Sequence, residues 1–373
     1  MRSSTFYIIF ASIIAFYLIA NYYILTRIQK LVPQQFKLFT VAGIAILALS
    51  FIMGRILERY TVCATSDFLV WIGALWIALF LYLLLGFLLT DSIAAITGIF
   101  FNISNVKRYA YTVIIILSFA VTVAGYINEL KPVVKEINIT IHKPSSLKQL
   151  RIAYASDIHL GSIIANSRLE NLVTLINKSN PDIIIFGGDI VDEDIKPVIE
   201  NNLGELLLQL KAKHGIIAVP GNHEYIGGID KAINYIKSHN IKILRDELFT
   251  INDIQIIGRD DRSKFAFTGE HRAPLEHLIK KVNTNHPLII IDHQPFAIAK
   301  TASYPVDLLL SGHSHHGQLF PFNYITSKLY QISWGYDRIN NTHVYVSCGY
   351  GTWGPPVRTN SVSEIVILNL FFQ

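Results

Sequence analysis

The chain predicts an all-α transmembrane domain followed by an α/β domain. Three observations lead there. Of its 373 residues, 51% are hydrophobic and only 16% charged, and the excess sits in four charge-free runs of the first third. Past residue 127, short apolar runs alternate with amphipathic stretches, which implies a layered sheet with helices on its faces. Five clusters of metal-ligand residues then fall, in order, at the ends of apolar runs.

The charge-free runs are residues 6–25, 38–54, 68–90 and 109–127. Each reaches or approaches the roughly 17–25 residues that cross a bilayer as a helix. The second is the shortest. None shows the polar face of a helix in a soluble core. The first is too long for the apolar part of a signal peptide and has only Arg2 before it, so it reads as an anchor. Tyr22, Tyr23, Tyr60, Trp71, Trp76, Tyr109 and Tyr126 lie at or near the run ends, where an aromatic interface belt sits. Singly, each is equally a lipid-facing or packed ring.

An even number of spans puts both termini on one side. That side carries Arg2, Arg55, Arg59, Lys131, Lys135 and Lys143. The other carries Arg27, Lys30, Lys37, Lys107 and Arg108, so the charge rule nearly cancels. The first span alone, with its cations after it, favours an extracytoplasmic catalytic domain. Two cysteines, Cys63 and Cys348, are no disulfide framework. The net charge of +5 suits an anionic membrane surface or a phosphorylated substrate. No dense Lys/Arg stripe argues for nucleic acid.

In the second half, 133–141 alternates as a linker strand and 150–155 is the first core strand. Helical patterns cover 166–178, 198–212, 230–238 and 270–282. Strands are expected at 182–186, 215–219, 287–291, 306–310, 344–347 and 364–368, with short β segments around Ile243, Phe249 and Ile256. The expected division is 1–130 transmembrane, 131–148 linker and 149–373 catalytic.

The clusters are Asp157-Ile158-His159, Gly188-Asp189, Gly221-Asn222-His223-Glu224, His293, and Gly312-His313-Ser314-His315. Each follows a predicted strand, and open α/β sheets bind ligands at the carboxyl ends of their strands. Asp157 and His159 can reach one ion together. Asp189, after two glycines that permit a sharp turn, can bridge two ions. Asn222 offers a neutral oxygen, and His293, His313 and His315 offer imidazoles. Each cluster alone is common by chance; five in order, each at a strand end, are not. His142, His214, His239, His271, His277, His286 and His343 belong to no cluster and read as surface or helix residues.

The order D-x-H, G-D, G-N-H-E, H, G-H-x-H resembles the calcineurin-like metallophosphoesterase superfamily from residue 149 onward. The stretches 311–318 and 351–358 further resemble a bacterial, membrane-associated branch. That branch includes cell-wall phosphoesterases, and relatives hydrolyse UDP-diacylglucosamine. The resemblance implies a four-layered α/β/β/α sandwich with a dinuclear metal centre. It implies that Asp157, His159, Asp189 and His315 hold one divalent ion, and that Asn222, His293 and His313 hold a second, with Asp189 shared. His223 would protonate the leaving oxygen and Asp192 would orient it. A hydroxide bridging the two ions would attack phosphorus. Ligands without thiolate suit Mn, Zn or Fe, without choosing among them.

Two positions depart from that branch. His316 replaces the usual glycine after Gly-His-x-His, and Asp292 replaces a small or neutral residue before His293. Neither removes a ligand. Residues 319–343 are rich in aromatics, as in a lid or binding loop. Such a loop suits a lipid-linked substrate at the interface; a packed hairpin is the equal alternative. The leading expectation is a multi-pass, membrane-anchored phosphohydrolase acting on a phosphoester or pyrophosphate. The alternatives are a phosphodiesterase of soluble nucleotides with the spans as anchor only, and a non-catalytic membrane sensor. Transport is disfavoured by the lack of ionisable residues inside the runs.

Overall fold

The computed structural model describes residues 3–99 and 104–373. Arg2, counted above for sidedness, lies outside the described residues. The chain divides into two compact units, 1–127 and 128–373.

The first unit is built from α1 (Ser3–Ile28), α2 (Lys37–Tyr60), α3 (Ala64–Thr97) and α4 (Ser104–Glu129). Among the described residues these four are long and apolar enough to cross a membrane. Their core packs Ile24, Ile44, Trp76, Phe80, Phe87 and Tyr111. Ile13, Phe16, Ile19, Phe39 and Phe119 face outward. Large apolar side chains on the outside and Asn21 bonded to the buried Trp76 (3.1 Å) are the pattern expected in lipid rather than water.

The helices outrun the charge-free segments, so the expectation that they lack ionisable side chains needs correction. Asp91 lies within α3 and accepts from Tyr23 (2.7 Å), Arg27 (2.7 Å), Lys107 (2.8 Å) and Tyr111. Glu58, wholly buried in α2, pairs with Arg55 at 3.2 Å. A carboxylate persists in such surroundings because several donors surround it at once.

The second unit holds two six-stranded sheets. The first contains β1 (Val133–Ile141), β2 (Gln149–Ala155), β3 (Ile183–Phe186), β4 (Ile216–Ala218), β5 (Ile241–Ile243) and β12 (Glu364–Phe372), in the order β1-β12-β2-β3-β4-β5. The second contains β6 (Glu247–Ile251), β7 (Ile254–Gly258), β8 (Leu288–Ile291), β9 (Leu308–Ser311), β10 (Gly335–Ile339) and β11 (Thr342–Val346), in the order β10-β11-β9-β8-β7-β6. Side chains alternate across each sheet. Ile183 and Ile185 of β3 meet Ile289 and Ile291 of β8 between the sheets. Ile184 and Phe186 instead pack under α5 (Asn166–Lys178), against Leu169, Leu172 and Ile176. Leu288 and Ile290 pack outward against Leu275 and Leu278. Both faces are covered, which is why these strands read as unbroken apolar runs. The layers are α/β/β/α.

The remaining helices are α6 (Lys196–Glu200), α7 (Asn222–Ile226), α8 (Ile229–Ser238), α9 (Lys264–Thr268), α10 (Leu275–Ile279), α11 (Ile298–Thr301) and α12 (Asn323–Leu329). Three expectations differ from this. The strand expected at 133–141 forms as β1, but instead of standing apart as a linker it joins the first sheet, pairing in parallel with β12 from Val133↔Glu364 to Ile141↔Phe372. The 198–212 helix breaks after α6, where Asn202 turns left-handed (φ 49°). The 270–282 helix shrinks to α10, because Pro274 cannot sit inside a helix and restricts the residue before it.

Candidate metal centre

Four of the parallel strands β2, β3, β8 and β9 end at the same edge, and each carries a ligand cluster just beyond its last residue. Asp157 follows β2; its N–H donates to the Gly188 carbonyl at 3.0 Å, and His159 N–H donates to the Asp189 carbonyl at 3.0 Å. These bonds splice the first two clusters together. Gly188, with φ at +97°, lies against the His293 ring, where a Cβ would collide. Only glycine combines that backbone conformation with that approach.

The structure brings all nine sequence-designated residues together. Ligand atoms of Asp157, His159 and His315 lie within 4.8 Å of one another, as do those of Asp189, His293 and His313. His293 Nε2 is 3.1 Å from Asp189 Oδ2 and 3.3 Å from Asn222 Oδ1. His159 Nε2 reaches the same Asp189 oxygen at 3.9 Å, so this carboxylate stands between the two groups. His223 Nδ1 is 3.2 Å from Asp192 Oδ1. Its ring lies edge-on to His159, 4.5 Å between centroids.

Backbone strain marks five of these nine residues and the adjacent His316. Asp157, His159, Asp189, His313, His315 and His316 all have φ between 45° and 69°. For a residue with a side chain each such conformation costs about 1–2 kcal/mol. Clustered left-handed residues of this kind are typical of functional sites.

The donor set fits cations. Asp157 and Asp189 are both buried, and burial pushes Asp157 above the usual carboxylate range. Burial also acts on Asp189, but the His293 charge overrides it and holds its carboxyl well below that range. Burial, then the charge at His293, lowers His313 to about 3. Burial, then His159, holds His315 far below normal. These two rings therefore present lone pairs. His159 Nε2 faces His315 Nε2 at 3.2 Å, and buried His159 Nδ1 has no hydrogen-bond partner. Imidazole nitrogens packed this closely beside two buried carboxylates, one nitrogen without a hydrogen-bond partner, form a donor set that a cation would satisfy. His223 differs: burial opposes its protonation, but Asp189 and Asp192 prevail, and its pKa is pushed up to about 9.

Some supporting residues escaped sequence reasoning. Glu224 is buried and accepts from the N–H groups of Gly221 (2.7 Å), Ile190 (2.7 Å), Asp189 (3.1 Å) and Val191 (3.1 Å). It ties the Asp189 loop to the start of α7. Its place three residues after a helix N-cap is a capping-box signal that could have revealed it. Arg358, fully buried, donates to the carbonyls of Cys348 (2.9 Å), Gly349 (3.1 Å) and Gly351, and abuts His315 Nδ1 at 3.4 Å. The 351–358 motif includes Arg358, but nothing local in it announces this bracing role. Asp292 takes a two-pronged bond from Arg272 (2.8 and 2.9 Å), which explains a charge at that position. His316 turns away to Ser333 Oγ (2.9 Å) and Trp334. Of the histidines outside the clusters, His239 packs on Tyr235 and His271 stacks on Phe265.

Comparison with known proteins agrees with this architecture. The family model for calcineurin-like phosphoesterases matches residues 150–317. A metallophosphoesterase of Helicobacter pylori is 37% identical over 243 residues, 64% of this chain and 64% of that protein. The match therefore spans just under two thirds of that relative's length. A metallophosphoesterase of Campylobacter jejuni is 35% identical over 69% of this chain and 68% of its own. A Danio rerio protein named as a transmembrane protein with a metallophosphoesterase domain is 32% identical over 67% of this chain and 60% of its own. The chain belongs to the calcineurin-like phosphoesterase family.

Proposed function

We propose that the chain is a membrane-anchored phosphohydrolase with two divalent ions, cleaving a phosphoester or pyrophosphate bond of a lipid-linked substrate. The observation that carries this reading is the pair of ligand groups, each within 4.8 Å, with Asp189 reaching toward both. Asp157, His159, Asp189 and His315 would hold one ion; Asp189, Asn222, His293 and His313 would hold the other. Mn, Zn and Fe all suit such nitrogen and oxygen donors. When bound, two such ions neutralise phosphoryl charge and lower the pKa of water they ligate.

The chain's own residues do the rest. Asn222, at the first turn of α7, presents its amide beside His293, where the equatorial oxygens of a phosphoryl group would lie. His223 holds a proton for the leaving oxygen, and Asp192, 3.2 Å from its Nδ1, turns the other ring nitrogen outward. Glu224 and Arg358 fix the loops so that these groups need not reorganise during reaction.

In this reading residues 1–130 form the anchor and 149–373 carry the activity. The cations Arg27, Lys30 and Lys37 after the first span favour an extracytoplasmic catalytic domain. Protease digestion of that domain in intact right-side-out vesicles is the expected result; full protection would reverse the orientation.

The test of function uses the purified full chain with Mn²⁺ and a panel of p-nitrophenyl mono- and diesters, cyclic nucleotides and lipid pyrophosphates. Turnover that chelation abolishes and that Asn222→Ala loses, with the fold retained, is expected. Turnover indifferent to chelation would refute the scheme. Preference for cyclic nucleotides over lipid substrates would leave the spans as an anchor only.

A further inference from the structure

The aromatic stretch after the last ligand cluster divides into two parts. Residues 335–346 form the hairpin of β10 and β11. Residues 319–329 do not join the core. Leu319 is buried, but Phe320, Phe322, Tyr324, Ile325 and Leu329 are exposed, the last at 63%, and α12 buries none of its residues.

This exposure is built in. Gly317, at φ +73°, lets the chain pass so closely that a Cβ would lie 2.5 Å from Asn323 N. Phe320 N–H donates to Thr359 Oγ1 at 2.9 Å, and Thr359 N–H to the Gln318 carbonyl at 3.1 Å. The segment is therefore clamped to the loop bearing His313 and His315, with its apolar side chains outward. Each such side chain left in water forgoes the stabilisation that burial would give. Five together form a patch that calls for a cover.

We propose that residues 319–329 are a wedge that dips into a lipid surface and seats the catalytic unit on it. Three features select lipid as the cover. The chain's own helices are long and apolar enough to cross a membrane, so the catalytic unit never leaves the neighbourhood of a bilayer. Residues 312–336 contain no Asp or Glu, while Lys328 extends from α12, so anionic headgroups meet no repulsion. Exposed Phe, Tyr, Ile and Leu beside a single Lys is the composition of interfacial elements.

The wedge leads to the centre. Tyr330 directly follows α12; its ring is edge-on to His313 at 6.2 Å and packs on Phe296 at 4.9 Å. A phosphoester on a lipid headgroup would pass along these rings to His313 without leaving the surface. That second part rests on the phosphohydrolase reading; the wedge itself does not.

The test uses the full chain reconstituted in vesicles of phosphatidylcholine and phosphatidylglycerol, in a Cys63→Ser background, with Cys348 buried. An environment-sensitive fluorophore is placed at Ile325→Cys and, for comparison, at exposed Asn201→Cys. Blue-shifted emission at 325, quenched by bromine-labelled acyl chains, is expected, with neither effect at 201. Water-like emission at 325, or a blue shift without bromine quenching (a cover of protein), would overturn the wedge. In parallel, Ile325→Glu with Leu329→Glu should raise KM for a vesicle-borne phosphodiester about tenfold, equivalent to about 1.4 kcal/mol. The variant should leave kcat/KM for a soluble p-nitrophenyl ester unchanged. If wild type turns over neither substrate, the functional reading fails, and the fluorescence still decides the wedge.

Discussion

Glu224 offers the sharpest test of how the centre is held. Its two oxygens accept four backbone N–H groups: Ile190 and Val191 on one, Asp189 and Gly221 on the other. Burial and the Asp189 charge raise its pKa, while the donors favour the carboxylate. A protonated Glu224 would need an acceptor for its hydrogen, and the groups around its oxygens are donors. Glu224→Gln keeps the shape but turns one acceptor into an NH2 group facing two N–H donors. Two hydrogen bonds to a charged group vanish, each worth about 1.5 kcal/mol or more, so the loss is about 3 kcal/mol. For a unit of this size that corresponds to a fall of about 6–12 °C in unfolding temperature. Thermal unfolding of the detergent-purified chain, followed by near-ultraviolet circular dichroism, reads the shift. Metal analysis should show reduced loading, because Asp189 and Asn222 flank the bonds that are lost. A variant melting within about 1 °C of wild type, with full metal content, would refute the role assigned to this carboxylate.

Other predictions follow from the same geometry. Asp192→Asn should lower kcat about 10–100-fold with metal content intact, because His223 loses its orienting partner. The loss should be larger for alkyl than for p-nitrophenyl leaving groups; equal losses would mean His223 donates no proton. Asn222→Ala should reduce metal stoichiometry and turnover together, measured by elemental analysis and assay on one preparation. Chelation should lower the unfolding temperature as well as abolish activity, since ions bound only by the folded state stabilise it. Asp292→Ala should cost about 3–5 kcal/mol, because it strands the partly buried Arg272 guanidinium. Asp292→Ala with Arg272→Met should recover much of that loss in denaturant titration.

Much of this architecture was legible in the chain. The continuous apolar runs of β3 and β8, IIIF and LIII, announce strands buried on both faces, because each residue must meet oil whichever way it points. The D-x-H, G-D, G-N-H-E and G-H-S-H clusters stand at strand ends because the residues before them are strand formers. The same locality explains the failures. Periodicity extended the helices at 198–212 and 270–282 past Asn202 and Pro274, where the chain turns to meet other parts of the unit. Charge-free runs marked four membrane helices but stopped short of Asp91, whose neighbours Tyr23, Arg27, Lys107 and Tyr111 come from two other helices.

The amino-acid order alone therefore determined the division into an apolar and an α/β half, the main strands of the latter, and the residue types available at each strand end. These depend on neighbours a few positions apart. The tertiary structure alone decided that β1 is an edge strand beside β12, that Glu224 and Arg358 brace the ligand loops, and that residues 319–329 face outward. Each of those outcomes is set by groups far apart in the chain: the partner of Val133 is Glu364, and Arg358 braces loops that include His315. A hydrogen bond or a buried face exists only once both sides have been folded into contact, so it leaves no periodic trace along the sequence.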